Sequence, residues 1–244
     1  MSERSRTPRT DEAADADLLA PSLLHELRQP LTGADAAATL LERARPDLVR
    51  SDDWRLLRAQ LARIAEIVNE YESLFRPGAA TPERFEVGPA VARAVDLLSH
   101  RVRPLARRFG FERRDGGREG WGAPGAVVHA ATNLLSNALE ALDGRDDARV
   151  LVRVLGAAGG SVEVRVSDEG AGIAPAARER IFEPGFTTKG AERGTGLGLH
   201  VARRLMRRHG GEVFLVADAD PERAPWAVTE FCISVPPPPA GGAA

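Results

Sequence analysis

The apolar residues follow two different periods along the chain, and this change constrains the fold more than any other sequence feature. From residue 20 to residue 75, apolar side chains recur at alternating steps of three and four, the spacing of helices that each bury one stripe. The first stripe consists of Ala20, Leu24, Leu27, Leu31, Ala34, Ala38 and Leu41. The second consists of Trp54, Leu57, Leu61, Ile64, Val68, Tyr71 and Phe75. Beyond residue 84, short strand-like segments alternate with helical ones.

The two stripes predict a helical hairpin over residues 18–76. The segment ARPDLVRSDD interrupts the pattern between them and is short enough to join antiparallel helices. Each helix has one apolar stripe and little else, so a single hairpin buries the stripes incompletely. Two copies that form a four-helix bundle bury them better. We therefore expect a homodimer through this hairpin.

Proline, glycine and charge mark the segments outside the hairpin. Residues 1–17 are charged and lack apolar periodicity, which predicts a disordered tail. The stretch RPGAATPERF has two prolines and a glycine, so we expect a linker over residues 77–83. The end of the chain, PPPPAGGAA, predicts a second disordered tail over residues 237–244. A second domain remains over residues 84–236.

Residues 84–236 predict an α/β sandwich. The strand-like segments FEV, RRFGFERR, RVLVRVL, SVEVRVSD, EVFLV and VTEFCISV are interleaved with helical patterns over about residues 88–105, 124–142 and 197–208. The glycines of GAAGG predict a turn between two of these strands. The expected fold is α+β, a helical hairpin followed by a sheet with helices on one face.

Composition excludes several classes of protein. The formal net charge is −2 over 244 residues and acidic residues are interspersed with the arginines, so no basic patch indicates nucleic-acid binding. The single cysteine, Cys232, excludes an intramolecular disulfide framework. The polar first residues lack the apolar core of a signal peptide, and no apolar run is long enough to span a membrane. We expect a cytoplasmic protein.

The stretch HELRQPL places a histidine beside a carboxylate on the first helix. Leu24 and Leu27 belong to the apolar stripe, so His25 lies next to it and faces solvent. A lone surface histidine usually has no chemical role. Glu26, however, can hold or accept an imidazole proton while the other ring nitrogen acts as a nucleophile. Pro30 lacks the N–H that would bond the carbonyl of Glu26, which weakens the helix one turn later.

Two motifs in the second domain supply candidate ligands. In NLLSNALEAL, Asn133 and Asn137 lie four residues apart on one helical face, where a cation or ligand would satisfy both amides. Capping or core hydrogen bonds are the alternative. In DEGAGIAP, Asp168 follows a predicted strand, and Gly170 and Gly172 permit a tight turn close to a ligand.

The stretch GTGLGL predicts a phosphate site at the start of a helix. Gly194, Gly196 and Gly198 lead directly into LGLHVARRLMRRH, and unpaired amides at a helix start attract anions. The motif is not a Walker loop, because no GK[ST] follows. It fits a dinucleotide fold poorly, because no strand directly precedes it. Incidental glycines in a turn are the alternative.

Taken in order, HELRQPL, NLLSNALEA, DEGAGIA, IFEPGFTTK and GTGLGL resemble the H, N, G1, F and G2 boxes of bacterial two-component sensor histidine kinases. The resemblance covers about residues 20–236 and is closest to the nitrogen- and oxygen-regulatory type. It implies a dimeric phosphoacceptor bundle followed by a Bergerat-type ATP-binding domain. It also implies autophosphorylation from Mg-ATP and transfer to an aspartate of a response regulator.

The resemblance implies roles for three residues of the hairpin. His25 corresponds to the phosphoacceptor, and Glu26 to the carboxylate that assists proton transfer. Gln29 lies where many such kinases place a residue used to dephosphorylate the response regulator, so the balance between kinase and phosphatase activity stays open.

The resemblance also implies an ATP and Mg²⁺ site. Asn137 corresponds to the Mg²⁺ ligand and Asn133 to its neighbour. Asp168 corresponds to the aspartate that accepts from the adenine amino group, in a pocket shaped by Gly170 and Gly172. The other implied nucleotide residues belong to the lid, the phosphate loop and the last strand: Phe182, Thr187, Thr188, Lys189, Gly194, Thr195, Gly196, Leu197, Gly198 and Thr229. Related ATPases have a water-activating glutamate where this chain has Asn133, which favours transfer to a side chain over hydrolysis.

Two departures from the family pattern accompany the resemblance. Residues 1–17 hold no sensor module, so the input comes from a separate sensor protein or the chain is a fragment. Gly185 stands where many relatives have a bulky residue, which is expected to loosen the pocket.

The alternatives are an ATP-independent phosphotransfer or scaffold protein, a phosphatase-dominant member, and a stand-alone ATPase or serine kinase. An intact Asp168 argues against the scaffold.

Overall fold

The computed structural model describes residues 11–75, 81–188 and 196–240. The chain divides into two units between Pro77 and Gly78. The first unit is helical, and the second combines strands and helices. In the described part of the chain, no helix has both the length and the apolar character needed to cross a bilayer.

The first unit is a helical hairpin. Helix α1, Asp11–Ala44, and helix α2, Asp52–Phe75, are joined by a short segment that contains a 3₁₀ turn. The indole Nε1 of Trp54 donates to Glu42 Oε1 at 3.0 Å, and Arg58 Nε lies 3.1 Å from the same oxygen. The end of α1 therefore contacts the beginning of α2, as an antiparallel hairpin requires.

Helix α1 begins earlier than the sequence predicts. Residues 1–17 are expected to be a disordered tail, but residues 11–17 form the first turns of α1, and residues 1–10 lie outside the described part. The prediction is wrong for residues 11–17 because the charged residues there alternate with alanines, which have the highest helix propensity. Helix α1 also continues through Pro30 without a break.

A mixed five-stranded sheet forms the second unit. Its strands, in order across the sheet, are β2 (Phe109–Arg114), β4 (Val150–Gly156), β5 (Val162–Asp168), β7 (Thr229–Val235) and β6 (Glu212–Leu215). Strands β2 and β4 are parallel, and the other neighbours are antiparallel. A separate antiparallel pair consists of β1 (Glu83–Glu86) and β3 (Glu119–Gly122).

Four helices accompany this sheet. They are α3 (Val87–Leu97), α4 (Ser99–Val102), α5 (Pro124–Ala141) and α6 (Gly198–Arg208). Helix α5 contacts both α3 and α6, and it also contacts β4, β5 and β7. Alternate residues of the three central strands supply buried apolar side chains: Val150, Val152, Val154, Val162, Val164, Val166, Phe231, Ile233 and Val235. The predicted α/β arrangement of helices against a sheet is therefore confirmed.

The structure differs from the predicted elements at two places. The single helix expected over residues 88–105 is instead α3, α4 and a 3₁₀ segment, Arg103–Arg108, because Leu98 leaves the helical conformation and Pro104 offers no N–H to an α-helical ladder. Strand β3 was not predicted. Glycine occupies two of its four positions, which removes the alternating apolar pattern.

Removal of a side chain from α5 tests the position of the core. Leu134 is 1% exposed and Leu97 is 57% exposed. We expect Leu134→Ala to lower the free energy of unfolding of the second unit by about 2–5 kcal/mol, because a cavity replaces the side chain. The matched Leu97→Ala change should stay within about 0.5 kcal/mol. Urea titration in a Trp54→Phe background checks this, since the remaining tryptophans belong to the second unit. Equal effects of both changes would contradict this core.

Candidate functional site

Asp168 and Thr229 form a polar pair inside the second unit. Asp168 is the last residue of β5 and Thr229 is the first of β7, and the two are direct partners across the antiparallel ladder. Their exposed fractions are 3% and 6%. A hydroxyl and a carboxylate at the same edge of the sheet offer hydrogen bonds to a ligand that enters there.

The turn after β5 holds the Asp168 carboxylate. The backbone N–H of Gly170 donates to Asp168 Oδ1 at 2.8 Å. A Cβ at Gly170 would lie 2.5 Å from Ala141 Cβ at the end of α5, so only glycine permits this approach. Gly172 has a φ of +79°, which glycine adopts without strain. The three residues that the sequence singles out in this motif are thus brought together.

Helix α5 presents two asparagines one turn apart. The Asn133 side-chain amide donates to the Gly198 carbonyl at 3.1 Å, which ties α5 to the first residue of α6. Asn137 is half-buried, and its side chain makes no hydrogen bond to another residue within the described ranges. An amide oxygen without a protein donor suits a hard cation such as Mg²⁺.

The two ends of the lid segment meet at a pair of glycines. Gly185 and Gly196 have φ values of +78° and +66°. The N–H of Gly185 donates to the Gly196 carbonyl at 3.1 Å. A Cβ at Gly196 would lie 2.6 Å from the Gly185 carbonyl oxygen. Gly185, which departs from the family pattern, therefore serves a close backbone contact.

Phe182 connects the lid segment to α6 and to the sheet. Its carbonyl lies 3.0 Å from His200 Nδ1. The Arg203 guanidinium carbon lies 4.4 Å from the centre of its ring, and the ring meets Phe231 edge-on at 6.2 Å. These contacts fix the base of the lid against the first turns of α6. His200 and Arg203 were not singled out from the sequence.

The remaining predicted nucleotide residues lie near the start of α6 or outside the described part. Thr187 is half-buried and Thr188 is exposed. Leu197 caps α6, and Gly198 is its first residue. Lys189, Gly194 and Thr195 fall within residues 189–195, which lie outside the described ranges.

The predicted phosphoacceptor motif belongs to the other unit. His25, Glu26 and Gln29 all lie in α1. Glu26 and Gln29 are exposed. These two side chains are therefore accessible to another protein, while the side chain of His25 lies outside the described part.

Metal coordination by a cluster of protein side chains is not found in the described ranges. Those residues contain no group of three or more histidine, cysteine, aspartate or glutamate side chains that could hold an ion. Mg²⁺ usually keeps several waters and binds through one or two protein oxygens plus substrate phosphates. Asn137 lies one turn from Asn133, which bonds the first residue of α6, so its amide oxygen fits Mg²⁺ held together with a nucleotide.

A groove of about 640 Å³ opens between α3 and α5 and extends to Asn133. Phe85, Leu97 and Val128 contribute apolar walls. His129 also lines the groove, and burial lowers the pKa of its imidazole, which is therefore neutral near pH 7. The Nε2 atom of His129 has no hydrogen-bond partner among the described residues.

A buried ionic cluster on the opposite face of the sheet was missed. Arg153, Arg165, Ser167 and Glu230 are all less than 10% exposed. The signal was present in the sequence, because charged and polar residues alternate with valines in RVLVRVL and SVEVRVSD. Alternation alone, however, did not show that this face is covered.

Comparison with known proteins identifies the second unit. The family described as histidine kinase-, DNA gyrase B- and HSP90-like ATPase matches residues 122–239. This range includes every residue assigned above to the polar edge of the sheet, the lid and the start of α6. The sensor histidine kinase ZraS of Salmonella typhimurium is 28% identical over 196 residues, which cover 80% of this chain and 41% of ZraS. The second unit belongs to this ATPase family, and the chain is similar to bacterial two-component sensor histidine kinases.

Solved histidine kinases share the fold across both units. Full-length ShkA in complex with AMPPNP is 25% identical, with a TM-score of 0.65 over 90% of this chain and 46% of ShkA. The histidine kinase ThkA in complex with the response regulator TrrA gives a TM-score of 0.62 at 19% identity, over 94% of this chain and 64% of ThkA. The chain spans 25–58% of the length of its curated relatives.

Substitution of Gly196 tests the contact between Gly185 and Gly196. We expect Gly196→Ala to weaken nucleotide binding about tenfold or more, because Cβ meets the Gly185 backbone and alanine is strained at positive φ. Gly159 is a matched control with a φ of +67° and open space where its Cβ would lie. Gly159→Ala should retain binding. Calorimetric titration with a non-hydrolysable ATP analogue measures both, and equal losses in the two variants would contradict a specific lid contact.

Proposed function

We propose that this chain is a histidine kinase that phosphorylates His25 from Mg-ATP and passes the phosphoryl group to an aspartate of a response regulator. The observation that supports this most is the convergence of Asp168, Thr229, Asn133 and Gly196 in one ATPase-family unit. The proposed subtype is nitrogen- and oxygen-regulatory. The chain spans 25–58% of the length of its curated relatives, so the activity is proposed for the whole protein.

The adenine end of the proposed ATP site is the edge formed by β5 and β7. Asp168 accepts a hydrogen bond from the adenine amino group, and Thr229 lies beside it. Gly170 and Gly172 allow the turn to approach the base. Burial of Asp168 excludes competing water, so the geometry of the carboxylate discriminates between purines.

The phosphate end is the start of α6. This helix has eleven residues, and its first N–H groups, together with the backbone of Gly196 and Gly198, are the proposed donors for phosphate oxygens. Gly194 is assigned to the same end by the resemblance. Lys189 and Thr195 are assigned to the same end by the resemblance. Phe182, Thr187, Thr188 and Leu197 form the lid and its base.

Mg²⁺ is proposed to bind through Asn137, with Asn133 in the adjoining shell. When bound with the nucleotide, the ion neutralises charge that develops on the transferred phosphoryl group. Asn133 keeps α6 close to α5 through its bond to Gly198. No acidic side chain occupies the position of Asn133 to activate water, which favours transfer to a side chain.

His25 is the proposed nucleophile of the hairpin. One ring nitrogen attacks the γ-phosphorus, the bond to the β–γ bridging oxygen breaks, and ADP leaves. Glu26 holds the proton of the other ring nitrogen and stabilises the charge on the ring. A receiver aspartate then takes the phosphoryl group, and Gln29 acts when the regulator is dephosphorylated.

Dimerisation through the hairpin is proposed because the apolar stripes remain open. Leu27, Leu41, Leu57 and Ile64 belong to the predicted stripes, yet each is about half exposed. Ala38 and Val68 of the same stripes are already buried within one hairpin. A second copy would cover the open part of both stripes as a four-helix bundle.

Labelled ATP tests the kinase proposal. We expect incubation with Mg²⁺ and γ-labelled ATP to give acid-labile, alkali-stable label on the protein, as a phosphohistidine requires. His25→Ala and Asn137→Ala should abolish the label. His100→Ala is the matched control, since His100 is exposed in the second unit and should leave labelling unchanged.

The other outcomes separate the alternatives. ATP binding without label, combined with release of phosphate from a phosphorylated regulator that needs Gln29, would favour a phosphatase-dominant protein. Absence of ATP binding would refute the kinase and leave a phosphotransfer scaffold.

Charge placed on the stripe tests the dimer. We expect the chain to have twice its 26.1 kDa mass in light scattering after gel filtration. The double change Leu57→Lys and Ile64→Lys should shift it to the monomer mass, because two buried charges per chain are costly at an interface. Gln60→Lys is an exposed control on the same helix and should leave the dimer intact. A wild-type monomer would refute the bundle.

A further inference from the structure

The sheet face opposite the core valines carries a covered polar cluster. Arg153, Arg165, Ser167 and Glu230 come from β4, β5 and β7, where side chains alternate between the two faces. Arg153 and Arg165 are direct partners across one ladder, and Ser167 and Glu230 across the next. Glu230 is 0% exposed. The polar side chains on this face are therefore buried inside the unit.

Glu230 is the centre of this cluster. Its carboxylate accepts from Arg153 Nη2 at 3.0 and 3.1 Å and from Arg165 Nη1 at 3.2 Å. It also accepts from Ser167 Oγ at 2.6 Å and from the backbone N–H of Ala224 at 3.0 Å. Each oxygen has at least two donors, so the carboxylate is held in one orientation.

Stability does not explain why the cluster is ionic. Burial of charged groups carries a large desolvation penalty, and replacement of buried ion pairs by apolar residues is often neutral or stabilising. A network of directional bonds, in contrast, fixes one arrangement of the strands that carry it. The cluster is also directly adjacent to the strand ends that are proposed to bind the adenine.

The Ser167–Glu230 bond lies directly behind the proposed adenine residues. Ser167 precedes Asp168 and Glu230 follows Thr229, and both pairs are direct partners in the same antiparallel ladder. Since neighbouring residues point to opposite faces, one pair faces the ligand and the other closes the reverse side. The 2.6 Å bond therefore joins the two backbones at the last rung before the adenine edge.

A loop reaches from Glu230 to the carbonyl of Asp168. This β6–β7 loop, residues 216–228, is held by the bond from Ala224 N–H to the Glu230 carboxylate. At its far end the N–H of Val228 donates to the Asp168 carbonyl at 2.9 Å. Glu230 thus constrains the Asp168 backbone both through Ser167 and through this loop.

We propose that Ser167 and Glu230 are positioning residues for adenine recognition by Asp168 and Thr229. The inference rests on the proposed function, because it takes the adenine assignment of Asp168 from it. The pair acts by holding the ends of β5 and β7 in one geometry, so that the Asp168 carboxylate faces the amino group of the base. The pair affects the preference for adenine over other purines and leaves the binding of the phosphates unchanged.

Ser167→Ala tests the proposal. Glu230 would keep its two arginines and the Ala224 N–H, so the chain should fold. We expect the affinity for a non-hydrolysable ATP analogue to fall roughly fivefold to tenfold, the size of one ordinary intramolecular hydrogen bond. The affinity for the matching purine riboside analogue, which lacks the amino group, should change less than about twofold. Calorimetric titration of the full chain measures both.

Two further variants separate positioning from a general structural effect. Ser167→Thr keeps the hydroxyl and should restore the preference for adenine. Ser234→Ala removes a serine from the same face of β7, and Ser234 makes no side-chain hydrogen bond to another described residue. This control should leave both affinities unchanged.

The outcomes distinguish this inference from the proposed function. Equal weakening of both analogues by Ser167→Ala, or no weakening of either, would overturn the positioning role while the kinase proposal stands. A wild-type chain that binds the two analogues equally would refute the adenine assignment of Asp168 and the positioning role with it. A chain that binds neither would refute the proposed ATP site.

Discussion

The antiparallel pairing of β5 with β7 is the interaction on which the second unit depends. Its register fixes the face of every side chain along both strands, and a slip of one residue would reverse all of them. In the observed register the valines of β5 and the apolar residues of β7 lie together against the helices. Asp168 and Thr229 end the same face at an edge where a ligand can enter. Core and candidate site are therefore set by one pairing.

The structure gives a physical reason for Gly185, which departs from the family pattern. From sequence, Gly185 appears only as a missing bulky residue. In the structure, a Cβ at Gly196 would clash with the backbone of Gly185, and both glycines have positive φ. Residues 185 and 196 are therefore held together by a direct backbone contact.

The sequence predicts elements with a long and regular period. The apolar stripes predict α1 and α2, and the alternating segments predict β4, β5 and β7, because one face of each is buried. Prediction fails where local chemistry overrides the pattern, as in residues 11–17 and in the 3₁₀ segment Arg103–Arg108.

The candidate site shows a second limit of prediction. The motifs name Asn133, Asp168 and Gly196, but the sequence does not give the bond from Asn133 to Gly198 or the contact between Gly185 and Gly196. Asn133 and Gly198 are 65 residues apart, so their bond exists only after α5 and α6 have packed, and the motif pattern does not show that Gly185 meets Gly196. Roles assigned by resemblance remain predictions, while the geometry around them is observed.

The ionic cluster on the reverse face of the sheet constrains the edge that is proposed to bind the nucleotide. Asp168 and Thr229 make this edge polar, so apolar packing alone does not fix the backbone there. Glu230 supplies the missing constraint from the reverse side, through Ser167, two arginines and the loop that ends at Val228. Directional bonds hold a backbone position more narrowly than apolar contacts, which tolerate repacking. A buried charge cluster one rung from the proposed adenine site is therefore better explained by orientation than by stability.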